Sequence, residues 1–136
     1  MTADEIINAA RSQVGVKFMH QGRIAGYWLD CAGLVAFVAT TVGAQYNEWY
    51  GYGRTPHNGL LEATLDTQPC LEVAPVRQPG DILMMRFDTE PQHVAIFTGE
   101  NIIHSYQSVG QVVEHRIDSK WAARIVKIYR FKGVTL

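Results

Sequence analysis

The period of the hydrophobic pattern changes once along this chain, and that change limits the fold more than any other feature. In the first half, apolar residues recur at helical spacing. Ile6, Ala10 and Val14, with Ile7 beside them, form a stripe over residues 2–14, opened by Thr2 and Glu5 as a capping box and stopped at Gly15. Leu34, Val35, Phe37, Val38 and Val42 form a second stripe, with Asp30 as its N-cap and Gly43 closing it. A short helix is expected over 58–66, capped by Asn58. After the turn Gln78-Pro79-Gly80-Asp81 the period becomes two, and five strands are predicted at 82–87, 93–98, 102–106, 111–116 and 124–131. Gly99-Glu100-Asn101 and Ser108-Val109-Gly110 supply hairpin chemistry, and a helical turn is expected at 119–123. Helices first and antiparallel strands later predict an α+β domain. Residues 16–29 and 46–57 carry no period and read as loops, the second rich in Tyr, Trp and Gly.

A chain of 136 residues predicts one domain spanning 1–136. With 47% hydrophobic and 18% charged residues it can bury a core without disulfide or metal staples, and it is not a disordered chain. A net charge of −1 argues against a basic nucleic-acid binder. No apolar run approaches the ~20 residues that span a bilayer. The N-terminal stretch carries acid where a signal peptide would carry base, so synthesis in the cytoplasm without an export signal is expected. The two cysteines, Cys31 and Cys70, lie far apart in unlike contexts and form neither a disulfide framework nor a CxxC pair.

Cys31 is the most informative position. It follows the N-cap directly, where free backbone N–H groups and the helix dipole favour a thiolate, and its own N–H can donate to an oxyanion. Gly33 keeps bulk away. The competing reading is a small buried hydrophobe. By alternation His93 shares a face with Ala95 and Phe97, at the edge of a helix–sheet interface, where a lone histidine is commonly structural. His104 lies on the next strand beside Ile102 and Tyr106. A hairpin at 99–101 sets His93 several positions beyond His104 along the ladder, so a sheared register or bulge is required to join them. Jointly, Cys31, His93 and His104 suit thiol attack: nucleophile, base and then acid, and orienting acceptor. The same residues with Cys70 form the competing zinc set. Trp49, Tyr50 and Tyr52, with Tyr27 and Trp28, either wall a cleft or simply pack. Arg23 or Arg54 can meet a substrate carboxylate. His20 is placed to line the site, His57 in a loop, His115 on the surface of an edge strand, and Cys70 in a structural or exposed position.

Leu29-Asp30-Cys31-Ala32-Gly33-Leu34-Val35 resembles the Asp-Cys-Ser-Gly-Leu/Phe-Val signature of the NlpC family, cell-wall peptidases of bacteria and phages within the papain-like superfamily. Gly15-Val16-Lys17-Phe18 stands where the family has Gly-Thr-Pro-Tyr, and Pro79-Gly80-Asp81-Ile82-Leu83 resembles its Pro-Gly-Asp-Leu. His93-Val94-Ala95-Ile96-Phe97-Thr98-Gly99 is similar to its His-Val-Gly-Ile-Tyr-Leu-Gly, and Ile102-Ile103-His104-Ser105 to its Val-Ile-His-Ala. Order and spacing fit over about 5–131. Met19-His20-Gln21-Gly22-Arg23 resembles the small branch found in phage tail and gene-transfer-agent clusters.

The resemblance implies a papain-like fold, with the nucleophile at a helix N-terminus packed on a mostly antiparallel five-stranded sheet. It implies Cys31 as nucleophile, His93 as base and acid and His104 as orienting residue, acting without metal or organic cofactor. The implied substrate is the peptidoglycan stem peptide, at the bond from γ-D-glutamate to the diamino acid, with Asp30 helping to hold its free amine. Two positions depart from the family. Ala32 replaces the Ser after the nucleophile, and Phe18 replaces a Tyr that helps with the oxyanion or the amine, leaving that role to Tyr27 or to backbone. Phage tail proteins are the expected partners, with the protein carried on a virion or released at lysis. The alternatives are an inactive structural module of a tail tip, or an amidase or acyltransferase acting on another substrate.

Overall fold

Thr2 opens the first helix from extended backbone, its hydroxyl accepting from the Glu5 amide at 3.1 Å, and α1 runs Ala3–Arg11. Asp4 and Glu5 in its first turn and Arg11 in its last match the helix dipole. The helix stops before Gly15 because the Ser12 hydroxyl takes the Ala9 carbonyl, and the chain turns through 12–15 with Gly15 at φ +91°. The computed structural model describes residues 1–49, 52, 59–87 and 91–136. Tyr50, Arg54, His57 and Asn58 lie outside the described residues.

Within 16–29, expected as loop throughout, two short strands pair as a hairpin: β1 (Arg23–Ile24) and β2 (Trp28–Leu29). The next helix, α2 (Cys31–Thr41), begins immediately after Asp30. Ala32, Gly33, Leu34, Val35, Ala36, Val38 and Ala39 are all buried, so α2 is enclosed on most sides, as a helix apolar all round must be. Gly59, in the left-handed region at φ +73°, leads into α3 (Leu60–Asp66).

The strands follow as β3 (Leu71–Val73), β4 (Ile82–Arg86), β5 (Pro91–Phe97), β6 (Asn101–Tyr106), β7 (Gln111–Arg116) and, after the short α4 (Ser119–Ala122), β8 (Ile125–Phe131). They form one sheet in the order β3-β8-β4-β5-β6-β7, with every neighbouring pair antiparallel. The α+β class holds, but among the described residues the main sheet has six strands, not five. The extra one, β3, pairs Leu71 with Phe131 at the edge of the sheet. A three-residue strand is too short to show an alternation in sequence.

The sheet has two unlike faces. Ile82, Met84, Val94, Ile96 and Ile103 pack against Ile6 and Ile7 of α1 and Leu34, Val35 and Val38 of α2. Leu83, Met85, Ala95, Phe97 and Ile102 point the other way and are covered by Ile117 and Trp121. His93, which alternates with Ala95 and Phe97, therefore belongs to the face under the α4 segment, not to the α2 face. Both faces of β5 are apolar, so alternation alone does not say which helix covers which.

Two glycines let the 16–29 segment ride directly on the start of α2. A Cβ on Gly33 would collide with the Gly22 carbonyl oxygen, and one on Gly22 would come within 2.8 Å of the Met19 carbonyl oxygen. Both obstacles are backbone and cannot swing aside. Gly33→Ala is expected to lower stability by roughly 3 kcal/mol, the upper end of the usual overpacking range. Urea unfolding measures it, and an unchanged midpoint would contradict this packing.

Candidate active site

A cleft of about 370 Å³ opens where the start of α2 meets the start of β5. Phe18, His20, Asp30, Cys31 and Tyr52 line it from the helical half of the chain, and Phe87, Gln92, His93, Ser105, Tyr106 and Arg124 from the strand half. Cys31 and His93 thus share one cavity, although Cys31 packs with the core on the α1 and α2 side of the sheet and His93 belongs to the β5 face that carries Ala95 and Phe97.

Asp30 fixes the first turn of α2. It is 3% exposed, in extended backbone, and one carboxylate oxygen accepts from the Gly33 amide at 2.8 Å and from Arg23 Nη1 at 2.9 Å. The other oxygen accepts from the Gln21 amide at 2.8 Å and from the Tyr52 hydroxyl. Arg23 is fully committed: it also reaches Glu48 and the carbonyls of Gly22 and Trp49, with its guanidinium over the Tyr52 ring. Arg23 is therefore an internal ion-pair partner in this structure rather than a free cation facing the cleft.

The position after Asp30 has a second consequence. Burial pushes the Cys31 thiol up to about 12, and the neighbouring Asp30 carboxylate adds to the rise. The backbone amides of Val94 and Ala32 and the charge of Arg23 oppose it but are outweighed. The stabilisation of a thiolate expected at a helix N-terminus is present here only as the smaller effect.

His93 is 4% exposed and His104 fully enclosed. His93 Nε2 lies 2.6 Å from His104 Nδ1. Burial lowers His93 to about 3, with the Arg124 charge contributing, and lowers His104 to about 2, with His93 and His115 contributing. At neutral pH the site therefore rests as a neutral thiol beside neutral imidazoles.

The two histidines lie beyond the paired residues of their two strands. Ile96 pairs with Ile103 and Phe97 with Ile102. Continued by alternation, that register puts the small Ala95 level with His104 and His93 one diagonal step beyond, on the same face. The bulge that exists is on the other side of β5: Met85 pairs with His93 but Arg86 with Pro91, leaving Gln92 as the extra residue, aimed into the cleft.

Of the other expected positions, Phe18 and His20 line the cleft, His20 meeting Tyr52 edge-on at 5.5 Å. Tyr27 is 66% exposed and packs against Trp28, outside the cleft lining. Ala32 is buried and does not line the cleft. Cys70 lies in the hydrophobic core with Leu71 and Tyr129, apart from the zinc set considered from sequence, and no three His, Cys, Asp or Glu gather for a metal ion among the described residues. His115, expected on the surface, is half-buried with its Nε2 2.9 Å from His104 Nε2. Arg124, Tyr106, Phe87 and Trp121 carry no mark in the sequence pattern. The histidines do carry one: His93, His104 and His115 recur at intervals of 11 on three successive strands.

Comparison with known proteins bears on the fold. The family model described as NlpC/P60 family matches residues 15–130. No curated protein matches the chain by sequence. Among solved structures, an NlpC/P60 family protein from Bacillus cereus superposes with a TM-score of 0.70 at 19% identity, covering 96% of this chain but only 40% of its own length. The NlpC/p60 domain of the peptidoglycan hydrolase SagA gives a TM-score of 0.67 at 19% identity, covering 94% of this chain and 97% of that domain. RipD from Mycobacterium tuberculosis, described as a non-catalytic NlpC/p60 domain protein adapted to peptidoglycan binding, gives 0.60 at 16% identity, covering 96% of both chains.

A neutral resting pair has a measurable signature. Alkylation of Cys31 by iodoacetamide, followed by peptide mapping, is expected to be slow near pH 7 and to keep rising beyond about pH 10 as the thiol ionises. A fast rate that is flat from about pH 5 to 8 would mean a preformed thiolate–imidazolium pair instead.

Proposed function

The chain belongs to the NlpC/P60 family, and from that premise we propose that it is a cysteine peptidase cutting an amide bond in peptidoglycan stem peptides. Cys31 is the nucleophile, His93 the base and then the acid, and His104 the residue that orients His93. One observation carries this reading: Cys31 and His93 face the same cleft, and His93 turns its Nε2 away to His104 at 2.6 Å, leaving Nδ1 for the thiol.

The step is amide hydrolysis through a thioester. Both partners start neutral, so His93 Nδ1 takes the Cys31 proton as sulfur attacks the carbonyl carbon. The oxyanion meets the Cys31 backbone N–H, which has no intrahelical partner as the first residue of α2. Collapse breaks the C–N bond, His93 gives its proton to the leaving amine, and a water activated by His93 then hydrolyses the thioester and restores the thiol.

Arg124 is the cleft's cation. Its guanidinium rests over Trp121 at 4.3 Å and Phe87 at 5.1 Å, with no acidic partner among the described residues, and it suits a carboxylate beside the scissile bond. That favours the γ-D-glutamyl–diamino acid bond. Phe18 brings no hydroxyl to the cleft; Tyr52 and Tyr106 are the tyrosines lining it, and Tyr52 is the one held by Asp30, so Asp30 acts on a substrate amine through Tyr52. The domain spans 1–136. Delivery on a phage tail, beside other tail proteins, or release at lysis fits the branch resemblance of the 19–23 segment.

Ala32 and Phe18, where the family carries hydroxyls, favour one second reading: a non-catalytic wall-binding domain of the kind described for RipD. Mass spectrometry of muropeptides after incubation of purified peptidoglycan separates the two. New stem-peptide fragments from the wild type and none from Cys31→Ala are expected. Fragments from both proteins would remove Cys31 as nucleophile. Sedimentation with peptidoglycan but no fragments from either would establish the binding domain.

A further inference from the structure

His104 does not end the polar chain that begins at His93. Its Nε2 lies 2.9 Å from His115 Nε2, and His115 Nδ1 lies 3.0 Å from the Arg116 carbonyl oxygen. We infer that His115 is a positioning residue of the site, the imidazole through which a backbone carbonyl dictates which nitrogen of His93 is free to face Cys31. This rests on the peptidase reading for its consequence but not for its geometry.

The assignment follows from donor and acceptor roles. A carbonyl oxygen only accepts, so His115 Nδ1 carries hydrogen. A neutral imidazole has one donor and one acceptor, so His115 Nε2 accepts and His104 Nε2 donates to it. His104 Nδ1 is then the acceptor, and His93 Nε2 donates across the 2.6 Å contact. The lone pair left over is on His93 Nδ1, the nitrogen that must take the Cys31 proton. Every link then points the same way, each ring donating at one nitrogen and accepting at the other. Aromatic rings enclose the chain: Tyr106 stacks on His104 at 5.2 Å, and Trp121 meets His104 at 5.1 Å and His115 at 5.0 Å, while burial disfavours charge on His93 and His104.

Without His115 the chain loses its direction. His104 would be free to carry hydrogen on Nδ1, which makes His93 Nε2 the acceptor, puts hydrogen on His93 Nδ1 and blocks the base. A packing role would depend only on the size of the side chain at 115. The directional role depends on whether it accepts or donates there.

The test uses the full chain with ¹⁵N-labelled histidine and three variants. His115→Gln places an amide oxygen able to accept from His104. His115→Leu offers nothing, and His115→Lys only donates. In the wild type and in His115→Gln, NMR is expected to show His93 protonated at Nε2 and bare at Nδ1. His115→Leu and His115→Lys are expected to populate the reverse tautomer. With a stem-peptide substrate, the Leu and Lys variants should lose about 10–100-fold in kcat with little change in KM, the scale on which orienting partners of an imidazole act, and Gln should recover most of it. Wild-type His93 carrying hydrogen on Nδ1, or a Leu variant with unaltered His93 tautomer and kcat, would overturn the inference. The tautomer is read in the resting protein without substrate, so it stands or falls separately from the peptidase reading, and the Gln–Lys contrast remains decisive if the Leu variant does not fold.

Discussion

The Asp30 carboxylate accepts four hydrogen bonds, from Gly33 and Gln21 amides, Arg23 and the Tyr52 hydroxyl. These donors come from three stretches of chain. By capping α2 it sets where Cys31 begins the helix, through Gln21 and Arg23 it draws the preceding loop onto that helix, and through Tyr52 it brings an aromatic side chain to the cleft. A cap of this kind is worth ~1 kcal/mol, but removing one partner of a buried ion pair costs about 3–5 kcal/mol because the other charge is left uncompensated. Gly22 and Gly33 allow the close approach that the network requires, and the Ser105 hydroxyl, 2.5 Å from the Leu29 carbonyl oxygen, ties β6 to the same point.

The same carboxylate works against the thiolate beside it. Cys31 is enclosed and next to a negative charge, while His93 and His104 are enclosed within aromatic rings and, in the case of His93, near Arg124. Desolvation penalises charge on both sides of the would-be ion pair, so the resting site stores a lone pair in a fixed direction rather than a separated charge. In the proposed mechanism, proton transfer is coupled to attack and the helix amides act on the oxyanion. All the ring nitrogens from His93 Nε2 to His115 Nδ1 are paired within the chain that ends at the Arg116 carbonyl, so the deeply buried His104 has a partner at each nitrogen.

Much of this was legible in the sequence because it is local. Thr2 and Asp30 as caps, the all-apolar α2 and the alternation of β4 to β8 are properties of short windows. Long-range choices were not. Alternation put His93, Ala95 and Phe97 on one face but did not reveal that Trp121, not α2, would cover it. The three-residue β3 was too short to announce itself, so the sheet gained a strand. His115 read as a surface residue because Gln111, Glu114 and Arg116 around it are polar; only the register of β6 on β7, with Ile102 opposite His115, brings it diagonally to His104. Arg23 differs from expectation for a related reason, while Tyr52 lines the cleft, one of its two expected places. Both are claimed by Asp30, and an ion pair across a loop leaves no period to read. The match of residues 15–130 to a family model supports the motif reading of the chain, while the roles of individual side chains rest on geometry and chemistry.

The central claim is that Cys31 is acylated by the substrate and then freed by water. Intact-protein mass spectrometry, on the full chain acid-quenched within the first turnovers on a stem peptide, tests it most directly. A transient mass increase equal to the acyl half of the substrate, mapped to Cys31 and discharged by hydroxylamine, is the predicted result. Product formation with Cys31 unmodified throughout, or with the acyl group on another residue, would contradict it.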